Sequence, residues 1–141
     1  MANVIANGFK QYIADGTINL GTDTIYAALF ANGFTFDKDA HDTWADISGS
    51  EISGDGYPAG GVELTGKAVS HNDSSDKGVF DADDVVFPAV TLTNARYIVL
   101  YRHTGGKLIG AWDLGANQSP AGVDFKVKWN AGGILTLSQG S

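Results

Sequence analysis

Apolar positions along this chain follow two different periods. Near the start, Ile5, Phe9, Tyr12 and Ile13 recur at i, i+4, i+7 and i+8, which is the stripe of one helical face. Asn3 stands where an N-cap belongs, and Asp15-Gly16 supplies a stop, the glycine being free to turn left-handed. The spacing predicts a short amphipathic helix over residues 4–14. It either lies on its own domain or makes residues 1–15 a helical arm that docks on a neighbouring subunit. From residue 24 onward the period is two, or the residues are apolar throughout. Residues 24–31 are apolar on both faces, as in a strand covered on two sides. Residues 62–69 alternate, with Gly66 as a bulge. In the run 78–90, Phe80 ends a short strand and an acidic turn follows at 81–84. Val85 and Phe87 then share one face, Val86 takes the other, and Pro88 stops ladder pairing or sits at an edge. Residues 95–102 form the strongest strand, apolar on both faces and therefore central. Residues 104–107, Thr-Gly-Gly-Lys, are a hairpin turn from which 108–114 return antiparallel. Residues 115–122 read as a loop. Val123, Phe125, Val127 and Trp129 alternate with polar residues, 130–133 turn, and 134–137 close the sheet.

About eight strands at short spacing, after one short helix, predict a mostly β fold: an antiparallel β-sandwich of jelly-roll type. A chain of 141 residues is one domain and can bury roughly 70% of its unfolded surface, enough to fold without a disulfide or metal staple. The segment 37–61 interrupts the strand pattern. Its second half is rich in glycine and poor in apolar residues, so it reads as an exposed excursion. The spacing of Ala40, Trp44 and Ile47 predicts one or two helical turns within it. Trp44 and Tyr57 are its anchors, packing back on the core or contacting a partner.

Charge and chemistry narrow the picture by exclusion. The net charge of −7, with nine Lys and Arg forming no basic stripe, argues against nucleic acid as a partner. The absence of Cys removes disulfides, thiolate catalysis and Cys-type zinc sites, and suits folding in a reducing cytoplasm. The N-terminus has neither the basic nor the apolar region of a signal peptide, and no apolar run reaches the roughly 18 residues of a membrane span. His41, His71 and His103 fall in turns and loops outside any metal pattern, and no G-x-S-x-G occurs. No catalytic residue and no cofactor is implied. The acidic run is the one metal candidate: Asp81, Asp83 and Asp84 could offer clustered oxygens to a hard cation, although the spacing is not that of an EF-hand. The competing reading is a turn in which the Asp side chains bond nearby backbone. Trp112, Trp129, Tyr26, Tyr97 and Tyr101 fall on predicted strands, so no exposed aromatic row marks a sugar platform.

Six runs then carry a resemblance. They are 24–30 (Thr-Ile-Tyr-Ala-Ala-Leu-Phe), 64–69 (Leu-Thr-Gly-Lys-Ala-Val), 78–90 (Gly-Val-Phe-Asp-Ala-Asp-Asp-Val-Val-Phe-Pro-Ala-Val), 98–105 (Ile-Val-Leu-Tyr-Arg-His-Thr-Gly), 108–113 (Leu-Ile-Gly-Ala-Trp-Asp) and 127–137 (Val-Lys-Trp-Asn-Ala-Gly-Gly-Ile-Leu-Thr-Leu). Together they resemble small virion proteins of tailed bacteriophages, among them the jelly-roll head cement (decoration) proteins on the outside of HK97-type capsids, especially those of Bordetella podophages. The likeness spans about 20–138 and is sharpest over 78–90. It implies a protein that is not an enzyme and that binds the major capsid protein across joints between capsomers. It would do so as a homodimer on the head exterior of the virion, having assembled in the host cytoplasm. Weak contacts suffice in such a role because symmetry repeats them. The likeness assigns no contact residues. The partner-contact candidates are Phe9 and Tyr12 on the helix and Trp44 and Tyr57 on the excursion. A tail or baseplate accessory protein and a carbohydrate-binding module are the alternative readings.

Overall fold

Ten strands, two short α-helices and one 3-10 turn (Ser48–Ser50, directly after the second helix) follow one another in the computed structural model, which describes residues 3–139. They are β1 (Val4–Ile5), α1 (Asn7–Asp15), β2 (Ile25–Ala31), α2 (Trp44–Ile47), β3 (Val62–Glu63), β4 (Ala68–Asn72), β5 (Lys77–Asp81), β6 (Val85–Thr91), β7 (Ala95–Arg102), β8 (Leu108–Gln118), β9 (Ala121–Val127) and β10 (Leu135–Ser138). All pairings are antiparallel. They build a five-stranded sheet in the order β1-β8-β7-β2-β3, a three-stranded sheet β10-β5-β4 and a ribbon β6-β9. The fold is mostly β and antiparallel with a short N-terminal helix, as the sequence predicts, and is consistent with a β-sandwich.

β7 is central because it is apolar on both faces. Tyr97 through Tyr101 are all buried, with β2 on one side and β8 on the other. The β2–β7 register sets Tyr26 opposite Tyr101 and Phe30 opposite Tyr97. Each large apolar side chain buried here removes surface worth roughly 1.5–3 kcal/mol from water. In β6 the alternation is as predicted: Val85 and Phe87 point into the core while Val86 stays 42% exposed.

Four local readings are corrected. The helix starts three residues later than the apolar stripe suggests. Val4 and Ile5 are drawn into β1, opposite Ala111 and Gly110 of β8, so the cap residue is Ala6, which makes no side-chain cap bond. Asn3 instead accepts a 2.8 Å hydrogen bond from the Asp113 backbone. The helix does end at Gly16, with φ of 82°. Within the described residues the N-terminal segment packs on its own chain: the Ala6 N–H bonds the Ile109 carbonyl and Phe9 is in the core. Gly8 matters for this docking, because a Cβ there would overlap the Asp42 carboxylate.

Residues 62–69 are not one bulged strand. The chain turns left-handed at Gly66 (φ 64°), leaving β3 on the five-stranded sheet and sending β4 to the three-stranded one. Pro88 sits at an edge, one of the two expectations for it, since β6 pairs only with β9, and it interrupts the ladder without ending the strand. The β6–β9 ladder passes from Phe87–Phe125 to Val90–Val123, and the irregularity falls at Pro88-Ala89, where no ladder donor is required. The loop expected at 115–122 shrinks to Ser119-Pro120 between β8 and β9, and Trp129 lies just beyond β9 rather than on it. Among the described residues no helix is long and apolar enough to cross a membrane.

Candidate functional site

The excursion 37–61 is less free than its composition suggests, and its second half forms the most connected polar feature of the molecule. β2 would present an open edge beyond its short pairing with β3. Residues 51–61 close that edge. Glu51 bridges Phe30, and the Ile52 N–H bonds the Leu29 carbonyl at 3.0 Å. The Leu29 N–H donates to the Tyr57 hydroxyl at 2.8 Å, and that hydroxyl donates to the Glu51 carboxylate at 2.7 Å. The same carboxylate accepts the Gly60 N–H at 2.9 and 3.1 Å, while the Tyr101 hydroxyl donates to the Gly60 carbonyl at 2.6 Å. On its other side the excursion reaches the ribbon, where the Thr91 N–H bonds the Asp55 carbonyl at 2.9 Å and the Tyr57 ring stacks on Phe87 at 5.7 Å. The stretch is therefore a seam between the five-stranded sheet and β6.

Its ionisation follows from its position. Burial pushes the Glu51 carboxyl above its ordinary range, outweighing the donors from Tyr57 and Gly60. Burial, and then the Glu51 charge, raise Tyr57 far above the usual phenol range. Tyr101 is pushed up to about 12, mainly by burial and then by Glu51. A carboxyl whose folded-state pKa is raised binds its proton more tightly in the fold than in the unfolded chain. Its contribution is therefore most favourable below the unfolded value and is lost as pH rises through the folded one. Replacing Glu51 by Gln keeps an acceptor for Tyr57 and removes this titration. The stability of Glu51→Gln relative to wild type should therefore rise as the pH is taken from about 4 to 7, as read by thermal melts. A stability difference that does not change with pH would contradict the assignment.

A second clamp holds α1. The Tyr12 hydroxyl donates to the Asp42 carboxylate at 2.9 Å and accepts from Lys107 Nζ at 3.2 Å; Lys107 also lies 3.6 Å from Asp42 and over the Tyr12 ring. Asp42 is fixed in turn by the start of α2, where the Asp46 carboxylate accepts the N–H groups of Asp42 and Thr43 in a capping box. α2 delivers Trp44, whose ring stacks on Tyr101 at 4.3 Å and meets Phe30 edge-on at 6.0 Å.

All four partner-contact candidates are thus engaged within the chain. Phe9 is 3% exposed, buried where α1 lies on β8. Tyr12, Trp44 and Tyr57 are half-buried, each fixed by the internal contacts just described. The two anchors of the excursion, Trp44 and Tyr57, pack back on the core. The sequence does not single out Glu51: a lone carboxylate between Ser50 and Ile52 belongs to no pattern.

The acidic run does not converge on one point. Asp81 accepts the Ala82 N–H, Asp83 accepts the Thr65 hydroxyl, and Asp84 pairs with Lys126 at 3.6 Å and accepts the Trp129 N–H. The Trp129 indole N–H bonds the Asp83 carbonyl. Asp81, Asp83 and Asp84 are thus directed to separate protein partners, the arrangement of a turn whose side chains bond nearby groups. Among the described residues no group of three or more His, Asp or Glu is placed to hold a metal ion. Trp112 is buried and bonds the Ile134 carbonyl, and Trp129 meets it edge-on at 6.1 Å. Comparison of the chain with models of protein families, with curated proteins and with solved structures found no match.

Proposed function

We propose that this protein is a structural, non-enzymatic component of a tailed-phage virion: a jelly-roll cement protein that binds the major capsid protein on the head exterior, as a homodimer, after assembly in the host cytoplasm. The observation that carries the reading is where the phage-like runs fall. Residues 24–30, 78–90, 98–105 and 108–113 supply most of β2, β5, β6, β7 and the first half of β8, which are the strands that build the core. The likeness therefore concerns the determinants of the fold rather than surface decoration. A second feature supports a structural role. Glu51, Tyr57 and Tyr101, whose ionisation burial shifts upward, are spent on holding a loop to a sheet: Tyr57 bonds Glu51 and the Leu29 N–H, Glu51 takes the Gly60 N–H, and Tyr101 bonds the Gly60 carbonyl. The test is to mix the purified protein with expanded capsids that lack decoration and image them by cryo-electron microscopy alongside intact virions. Density over capsomer joints is the expected result. Density confined to the tail or baseplate, or binding to a glycan array without binding to capsids, would overturn the reading.

A further inference from the structure

Among the described residues the sheets of this protein end in several open strands, most of which carry a defence against pairing with another chain. β1 and β3 are two residues long. β6 carries Pro88 and a left-handed Ala89, and β9 carries a left-handed Gly122 and the charges of Asp124 and Lys126. β10 has α1 alongside it across a cavity of about 220 Å³ lined by Ile5, Phe9, Lys10, Ile13 and residues 135–137, although Leu137 stays 54% exposed. Short length, proline, bulges, charge and a covering helix are the usual means by which natural sheets guard their edges.

β4 has none of these. Its five residues, Ala-Val-Ser-His-Asn, are all exposed, contain no proline, glycine, lysine or carboxylate, and have no positive φ. The strand pairs with β5 on one side only, and among the described residues no hydrogen bond reaches the backbone groups of its other side. Val69 is 62% exposed. It shares a face with Phe80, Leu135 and Leu137, beside a cavity of about 300 Å³ that Ile18 and Leu20 help to line.

The residues at the two ends of β4 identify the occupant of this edge. An antiparallel pair of identical strands has a two-fold axis through one residue. With that axis at Ser70, Ser70 faces its own copy, Val69 faces the partner's His71, and Ala68 faces the partner's Asn72. The next pair out sets Lys67 opposite the partner's Asp73, twice over by symmetry. Lys67 makes no ion pair among the described residues, and the Asp73 side chain is 93% exposed, 3.5 Å from its own His71. Opposite charges facing across a strand pair favour it, and like charges oppose it. The register also matches residues two apart, so whichever alternate backbone groups of β4 point outward meet their equivalents.

We propose that β4 is a self-association edge: two copies pair antiparallel about Ser70, joining their three-stranded sheets into one of six strands, with Lys67–Asp73 ion pairs at both ends. The inference deepens the dimer in the function proposed above but is read on the free chain. Its failure would leave binding to capsids untested, and failure of capsid binding would leave the edge intact.

The experiment is sedimentation equilibrium on the intact chain together with cysteine cross-linking. The protein has no Cys, so Ser70→Cys introduces a single thiol. Facing Cα atoms in an antiparallel pair are about 4.5–5.5 Å apart, within disulfide reach. Mild oxidation should give a covalent dimer of Ser70→Cys and leave Ser74→Cys, in the turn beyond β4, monomeric. Lys67→Asp or Asp73→Lys alone should weaken the dimer roughly tenfold by facing like charges, and the double swap should restore it. A chain that stays monomeric at high micromolar concentration would overturn the proposal. So would a dimer in which Ser70→Cys cross-links no better than Ser74→Cys.

Discussion

Replacing Gly61 by alanine will destabilise the protein by about 3–5 kcal/mol, the sum of a left-handed backbone penalty, a backbone overlap and the hydrogen bonds lost when the loop moves to relieve it. Gly61 has φ of 86°, and a Cβ on it would be driven into the Ala27 carbonyl of β2, which cannot retreat without breaking its pairing with β7. The loop must therefore move instead. Its neighbour Gly60 holds both the Glu51 carboxylate and the Tyr101 hydroxyl, so the movement breaks the polar centre of the seam. Urea unfolding followed by far-ultraviolet circular dichroism measures the loss. A cost below about 1 kcal/mol would mean that the chain relaxes around the methyl group and that the close approach to β2 is not required.

Phe30→Ala should cost a similar amount, about 3–5 kcal/mol, by a different route. Phe30 is fully buried, packs on Phe34 at 4.2 Å and meets the edge of Trp44 at 6.0 Å. Removing the ring leaves a cavity under the helical turn that carries Trp44. The loss should therefore come with a change in near-ultraviolet dichroism and tryptophan emission, because Trp44 is one of three tryptophans and the one stacked on Tyr101. A large loss of stability with no change in the Trp44 signal would show that α2 does not rest on this ring.

These two sites differ in how readily the sequence reveals them. Phe30 lies in an eight-residue run that is apolar on both faces, rich in aromatic and branched residues and too short for a buried helix, which marks a covered strand; β7 reads the same way, and simple alternation identifies the inward Val85 and Phe87. Gly61 is one of several glycines in a stretch whose composition signals only turns. What makes it necessary is the Ala27 carbonyl, 34 residues earlier, and local pattern carries no information about that approach. The same holds at the N-terminus. The apolar stripe correctly marks Phe9, Tyr12 and Ile13 as one helical face, but the pairing of Val4 and Ile5 with β8 is decided by residues more than a hundred positions away. The alternation over 62–69 is legible, yet Gly66 divides it between two sheets because the acidic turn needs Thr65 as a partner: the Asp83 N–H bonds the Thr65 carbonyl and its carboxylate the Thr65 hydroxyl. The polar seam was least visible of all. Glu51, Tyr57, Gly60 and Leu29 are spaced by no period, and their chemistry appears only once β2 has an edge to be capped.

The seam also bears on the order in which the chain can fold. The turns joining β4 to β5 and β7 to β8 close loops of only a few residues, and contacts of that kind form early. The loop cannot hold both its Tyr57 and its Asp55 contacts until Leu29 of β2 and Thr91 of β6, 62 residues apart, have been brought to its opposite sides. Closure of so wide a span belongs to the late stage of folding. Until then the loop is held to β2 alone and the Thr91 N–H of β6 lacks its Asp55 partner. The glycine-rich stretch that adds little to the core thus ties completion of the fold to the meeting of the five-stranded sheet and the ribbon.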